Sequence, residues 1–144
     1  MGAILENCHI LFEDFCKQQQ VDSKIVSIKL ANKFLKLKIA STPESLMKGY
    51  MDSPEPKENE GILFVYDKSV PLQFWMKNVN FPLDIIFFDS KFNYVNHLTM
   101  APDSGKSDSL LPRYNSQSSA QFALELKAGW CDRNNITNKC KLKI

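Results

Sequence analysis

Arginine is nearly missing from this chain: Arg113 and Arg133 are two of eighteen basic residues, and the other sixteen are lysine. Arginine grips phosphates and base edges with parallel hydrogen bonds, so its scarcity argues against nucleic-acid readout. A net charge of only +2 agrees, since it supplies no broad attraction to a polyanion. Long apolar runs are missing too, and none approaches the roughly 18 residues needed to span a bilayer. The N-terminus lacks the basic start of a signal peptide, and Glu6, Glu13 and Asp14 interrupt its apolar segment. Glu6 also stands where a myristoylation signal requires Ser or Thr. A cytoplasmic location without membrane association is the expectation.

Glycine is sparse and never clustered, so there is no phosphate-cradling loop and no dinucleotide fingerprint. No serine sits in a G-x-S-x-G elbow. The two histidines, His9 and His97, lie far from any metal-ligand spacing, and no C-x-x-C occurs. Neither a metal nor a cofactor is expected. Of the four cysteines, Cys8 and Cys16 fall on one expected helix, roughly 12 Å apart and out of disulfide reach. Cys131 and Cys140 meet only if the loop between them folds back.

What is present is the composition of a soluble globular domain, 44% hydrophobic and 24% charged over 144 residues. Residues 3–18 place Ile4, Cys8, Leu11, Phe12, Phe15 and Cys16 three and four apart, which predicts an amphipathic helix. Residues 1–22 are therefore read as a helical extension and 23–144 as the main domain. From residue 24 the period drops to two. KIVSIKL (24–30) and FLKLKIA (34–40) alternate like half-buried antiparallel strands about a turn at Ala31-Asn32-Lys33. Thr42 or Ser41 caps a short helix over 43–49 begun by Pro43, with Leu46 and Met47 pinning it to the sheet. GILFVY (61–66) reads as a buried strand that turns at 67–69. QFWMKNVNFPLDIIFFD (73–89) reads as a hairpin whose strands meet through the loop 78–82. FNYVNHLTM (92–100), AQFALELKAGW (120–130) and the closing CKLKI complete the strands, and 101–119 is a long polar loop. The predicted fold is mainly β, a sandwich of jelly-roll type with an N-terminal helix and one short internal helix.

Four pieces carry a family signature in order: TPESLMKGYM, EGILFVYD, FWMKNVNFPLDIIFFD and FALELKAGW. Together they resemble domain-of-unknown-function family 192, widespread in bacteria, archaea and viruses. Phe74, Trp75, Met76, Asn78, Pro82, Leu83, Asp84, Leu124, Glu125 and Gly129 stand at matching positions, and the match covers about residues 25–144. Departures are Ser45 for the pattern's first glycine, Gly49 where a basic residue is common, and Val79 for a threonine. The resemblance implies a compact, mainly β domain, to which the N-terminal helix is an addition, and it brings no established activity. Lysine in excess of arginine, with many Asn, Ile and Phe, is what an AT-rich genome such as a phage's produces.

The candidate site residues are Trp75, Asn78, Asp84 and Glu125. Asp84 and Glu125 are a general acid and base if they converge; otherwise Asp84 caps local backbone and Glu125 lies on an exposed strand face. Trp75 is either core or, sharing a face with Lys77, a stacking platform that Trp130 could join. Asn78 starts a tight loop or presents its amide to a ligand. His97 reads as a surface residue or a satisfied one. The function expected is a non-catalytic ligand-binding or accessory module. Alternatives are a hydrolase, carbohydrate-active through the paired carboxylates, and an interaction factor docking through the N-terminal helix. No catalytic residue is assigned, and the partner is an unknown small molecule, carbohydrate or protein.

Overall fold

In a computed structural model that describes residues 21–143, local pattern turns directly into structure at the first hairpin. Strands β1 (Ile25–Leu30) and β2 (Lys33–Ala40) pair antiparallel around Ala31 and Asn32. Both turn residues adopt positive φ, 50° and 63°. A two-residue primed turn demands that conformation because its twist matches that of the strands. Alternation then sends Leu35, Leu37 and Ile39 inward and leaves Lys36 and Lys38 exposed. The helix expected over 3–18, with Cys8 and Cys16, lies outside the described residues.

Helix α1 (Pro43–Lys48) follows the capping logic of its sequence. The Thr42 hydroxyl accepts from the Ser45 N–H at 3.2 Å, and the Ser45 hydroxyl accepts from the Thr42 N–H at 3.0 Å. Asp22 fastens the cap from outside: its Oδ1 accepts from the Ser45 hydroxyl at 2.6 Å and the Ser41 N–H at 2.8 Å. Burial alone would raise the Asp22 pKa, but the hydrogen bonds from Ser45, Ser41 and Thr42 outweigh it and hold it below the usual range. Apolar pinning is weaker than expected. Leu46 is half-buried and Met47 is exposed, so polar contacts do most of the anchoring.

Strand β3 (Glu60–Val70) runs parallel to β2 and antiparallel to β8 (Ala120–Lys127). It continues through an irregularity between Val65 and Val70 where a turn at 67–69 was expected. Glycine is needed at position 61 because a Cβ there would collide with the Glu125 carbonyl of β8. Strands β5 (Leu83–Phe88) and β6 (Tyr94–Met100) extend the sheet, whose order is β1-β2-β3-β8-β5-β6.

The expected 73–89 hairpin is not formed. Strand β4 (Gln73–Phe74) pairs with β7 (Tyr114–Asn115) in a separate two-stranded sheet, while β5 pairs with β6 and β8. Leu72, Phe74, Met76 and Val79 are all buried in one cluster with Leu83, Ile85 and Phe87, so their segment lies across the main sheet instead of within it. The polar 101–119 stretch is likewise built, with a 3-10 turn at Asp108–Leu110 and then β7. The Ser116 hydroxyl accepts the Leu72 N–H at 2.9 Å and ties that stretch to β4.

Both faces of the sheet are therefore covered. One face packs Leu37, Leu63, Phe122, Leu124, Leu126 and Ile86 under Trp130, the fully buried head of α2 (Trp130–Arg133). The other packs Ile62, Phe64, Ala123, Leu83, Ile85 and Phe87 under the β4 segment. Among the described residues, 141–143 make no regular strand. Lys143 bridges to Lys29 of β1 and Lys141 to Asn93 ahead of β6, drawing the sheet's two outer strands together around buried Leu142. The result is a mainly β, sandwich-like domain.

Candidate functional site

Among the described residues the buried carboxylates are Asp84 and Glu125, and Glu125 is the one on the second core face. Across the sheet Glu125 stands opposite Ile62 of β3 and Ile85 of β5, so its side chain shares their face. It is 4% exposed, yet its carboxyl has no hydrogen-bond partner among the described residues. Burial, with no compensating donor or cation, pushes its pKa up to about 8. A buried carboxyl without partners is costly unless something else satisfies it. What lies beyond it is a cavity of about 400 Å³.

The cavity walls come from four separate segments. Strand β3 gives Phe64 and Tyr66, the β4 segment gives Phe74 and Trp75, the end of α1 gives Lys48 through Met51, and Arg113 enters ahead of β7. Phe64 and Phe74 meet edge to face with centroids 4.9 Å apart. Gly49 makes the room: its φ is 46°, and a Cβ there would lie 3.2 Å from Phe64 Cζ and 3.4 Å from Glu125 Oε1. Its N–H donates to the Ser45 carbonyl at 3.1 Å, so the chain turns tightly over the carboxyl. In this stretch Gly49, not Ser45, therefore holds the conformation only glycine takes readily. Burial first, and then the charge of Glu125, push the Tyr50 and Tyr66 hydroxyls well above their usual pKa.

Of the four sequence candidates, Trp75 and Glu125 line the cavity, and Asn78 and Asp84 do not. The half-buried Trp75 ring already carries two cations. The Arg113 guanidinium carbon is 4.6 Å and Lys77 Nζ 5.4 Å from its centroid. It is a wall held by Arg113, not a bare stacking platform, and Trp130 does not join it. Trp130 lies in the other core, donating its indole N–H to Asn59 Oδ1 at 2.9 Å. Asn78 is exposed, with a φ of 58°. Its backbone does the local work: the N–H donates to Asp103 Oδ2 at 2.8 Å, and the carbonyl accepts from the Asp52 N–H at 3.1 Å.

Asp84 and Glu125 form no acid–base pair. Asp84 stands opposite Leu126 while its neighbour Ile85 stands opposite Glu125, one step out of phase, so the two carboxylates point to opposite faces. Asp84 is 1% exposed and both its oxygens are engaged. Oδ1 accepts from the Thr99 hydroxyl at 2.8 Å, and Oδ2 accepts from the Cys131 N–H at 2.9 Å in the first turn of α2. It pins α2 to the sheet. His97 is half-buried, its Nδ1 2.6 Å from the Tyr94 hydroxyl. Cys131 and Cys140 are free thiols, and burial with Asp84 nearby pushes the Cys131 thiol up. Among the described residues no group of three or more His, Cys, Asp or Glu side chains is placed to hold a metal ion. No described helix is long and apolar enough to cross a membrane.

Comparison with protein families places residues 25–144 on the model of domain-of-unknown-function family 192, described as "Uncharacterized ACR". The chain belongs to family 192. Two solved structures share its fold. One is a protein of unknown function from Novosphingobium aromaticivorans DSM 12444, 23% identical, with a TM-score of 0.75 over 83% of this chain and 85% of that one. The other, from Sinorhizobium meliloti 1021, is described as a candidate transcription regulator. It is 23% identical, with a TM-score of 0.74 over 85% of this chain and 95% of that one. No curated relative matches. Identity at this level carries the family 192 fold and not an activity, and nothing in these matches bears on a phage source.

Several lining residues escaped the sequence reading: Tyr50, Phe64, Tyr66, Gly49 and Arg113. Gly49 left a signal, a glycine directly after a helix in a chain with only five glycines. Arg113 left one as a rare arginine inside a serine-rich stretch. The others were hidden because aromatic residues of a β chain read as core until the strand order is known.

Proposed function

We propose that this domain is a non-catalytic module that binds a small organic molecule in the cavity above Glu125. The observation behind this reading is the buried Glu125 carboxyl, unpartnered among the described residues and open to a cavity of about 400 Å³. That volume lies in the range of small-molecule sites, which are mostly apolar with a few placed polar groups. Here aromatic walls supply the apolar area, Glu125 the polar anchor at the floor, and Lys48 and Arg113 charge along the lining. Both cations are braced. Lys48 Nζ donates to the Met51 carbonyl at 3.2 Å, and Arg113 donates to the Leu111 carbonyl at 2.9 Å and the Asp108 carbonyl at 3.1 Å. A rim held in place before a ligand arrives loses little side-chain freedom on binding.

A fragment screen followed by amide chemical-shift mapping tests the reading. Hits should move the amides of Gly49, Tyr50, Phe64 and Glu125, and Glu125→Gln should change their affinity. Hits that map only to other surfaces, or that bind the variant unchanged, would remove this cavity as the site.

A further inference from the structure

Resting on that ligand-binding reading, the geometry points to a ligand that carries an organic ammonium group, seated against Glu125 among the surrounding aromatic rings. The cavity joins two features that separately favour a cation. Tyr50, Phe64, Tyr66 and Phe74 line one space, and aromatic faces attract ammonium groups through their ring quadrupoles. Beside them lies one carboxylate, 4% exposed, with neither a hydrogen bond nor a neighbouring cation among the described residues to balance it. An ammonium head would balance the carboxylate form that burial disfavours, and a neutral or anionic head would not.

The cations of the lining do not fill this role. Arg113 is stacked on Trp75 and spent on two carbonyls, and Lys48 is spent on Met51 and on the Ser53 hydroxyl at 3.1 Å. Neither contributes to the Glu125 protonation balance, which burial alone sets. The ammonium end therefore belongs at Glu125, and an anionic or polar far end belongs toward Arg113 and Lys48.

Proton linkage gives the inference a second signature. The ionisable groups lining the cavity are Glu125 from β8, Tyr50 and Lys48 from the α1 end, Tyr66 from β3 and Arg113 ahead of β7, with Glu60 acting on Tyr50. Both tyrosines are held protonated well past neutrality, so Glu125 is the group that changes. A bound ammonium needs its carboxylate form. Affinity should rise by nearly tenfold per pH unit from pH 6 to 7 and level off above about 8, with a proton released on binding.

Calorimetric titration with matched probes tests this. Choline and betaine are paired with their carbon isosteres, 3,3-dimethylbutan-1-ol and 3,3-dimethylbutanoate, and ethanolamine adds a primary amine. The expected result is at least ~tenfold tighter binding of an ammonium probe than of its isostere, lost in Glu125→Gln, with the pH rise above. The isostere comparison uses the unmodified protein, so it does not depend on how the variant folds. If an isostere matches or exceeds its ammonium partner at this cavity, the site stands and the ammonium inference falls. If no ammonium probe binds, or binding is independent of pH and of Glu125, the inference falls as well, and the fragment screen still decides the site separately.

Discussion

Replacing Glu125 with glutamine keeps the side chain's shape and removes its titration, which turns the buried carboxyl into a measurable slope. In the folded protein the group holds its proton until about pH 8, whereas an ordinary glutamate releases it near 4.5. Below pH 4.5 both states are protonated and the group is neutral to stability. Between the two values the folded state retains a proton that the unfolded chain has released, so stability falls as pH rises. A gap of about 3.5 pH units, at about 1.4 kcal/mol each, makes a loss of about 5 kcal/mol across the window. The glutamine variant escapes it, apart from a constant offset for burying an amide. Urea unfolding at pH 5, 6, 7, 8 and 9 should therefore show the variant gaining on the wild type by about 1.4 kcal/mol per pH unit, levelling above pH 8. Asp22, whose pKa is held low, affects both proteins equally and drops out of the difference. A difference that stays flat from pH 5 to 9 would refute the reasoning.

Asp84→Asn should lower stability by about 3 kcal/mol, because an amide cannot serve both the Thr99 hydroxyl and the Cys131 N–H as a carboxylate does. The same variant should leave ligand affinity unchanged, since Asp84 faces away from the cavity; chemical denaturation and calorimetry check the two halves. Gly49→Ala should cost about 1–2 kcal/mol through its positive φ and the contact with Phe64, and should weaken every ligand of the cavity. Asn78→Gly should be nearly neutral while Asn78→Ala costs about 1 kcal/mol, because what the position needs is its left-handed backbone. Thermal unfolding of the pair distinguishes that from a side-chain role.

Some of this architecture was legible in the residues, and the losses have physical causes. The β1–β2 hairpin and the α1 cap are written locally, in alternation, in Ala31-Asn32 and in Thr42-Pro43, and local physics is what a sequence displays best. The family signature was legible too, and it carried the mainly β fold. The 73–89 hairpin misled because two apolar runs joined by a short polar link resemble adjacent strands whether or not they pair. Here Phe74 and Met76 are buried on top of the sheet that β5 builds. Glu125 was read against an exposed face because Leu124 and Leu126 claim the other one. With cover on both faces of β8, alternation separates two interiors rather than inside from outside. The same step of one residue placed Asp84 and Glu125 back to back, which only the β5–β8 register reveals.

A carboxyl-carbon NMR titration of Glu125, assigned by its loss in Glu125→Gln, is the most direct test that an uncompensated acid floors this cavity. The expected midpoint in the free protein is near pH 8. A midpoint near the ordinary glutamate value of 4.5 would contradict it, showing a carboxyl already satisfied by solvent or by the protein itself.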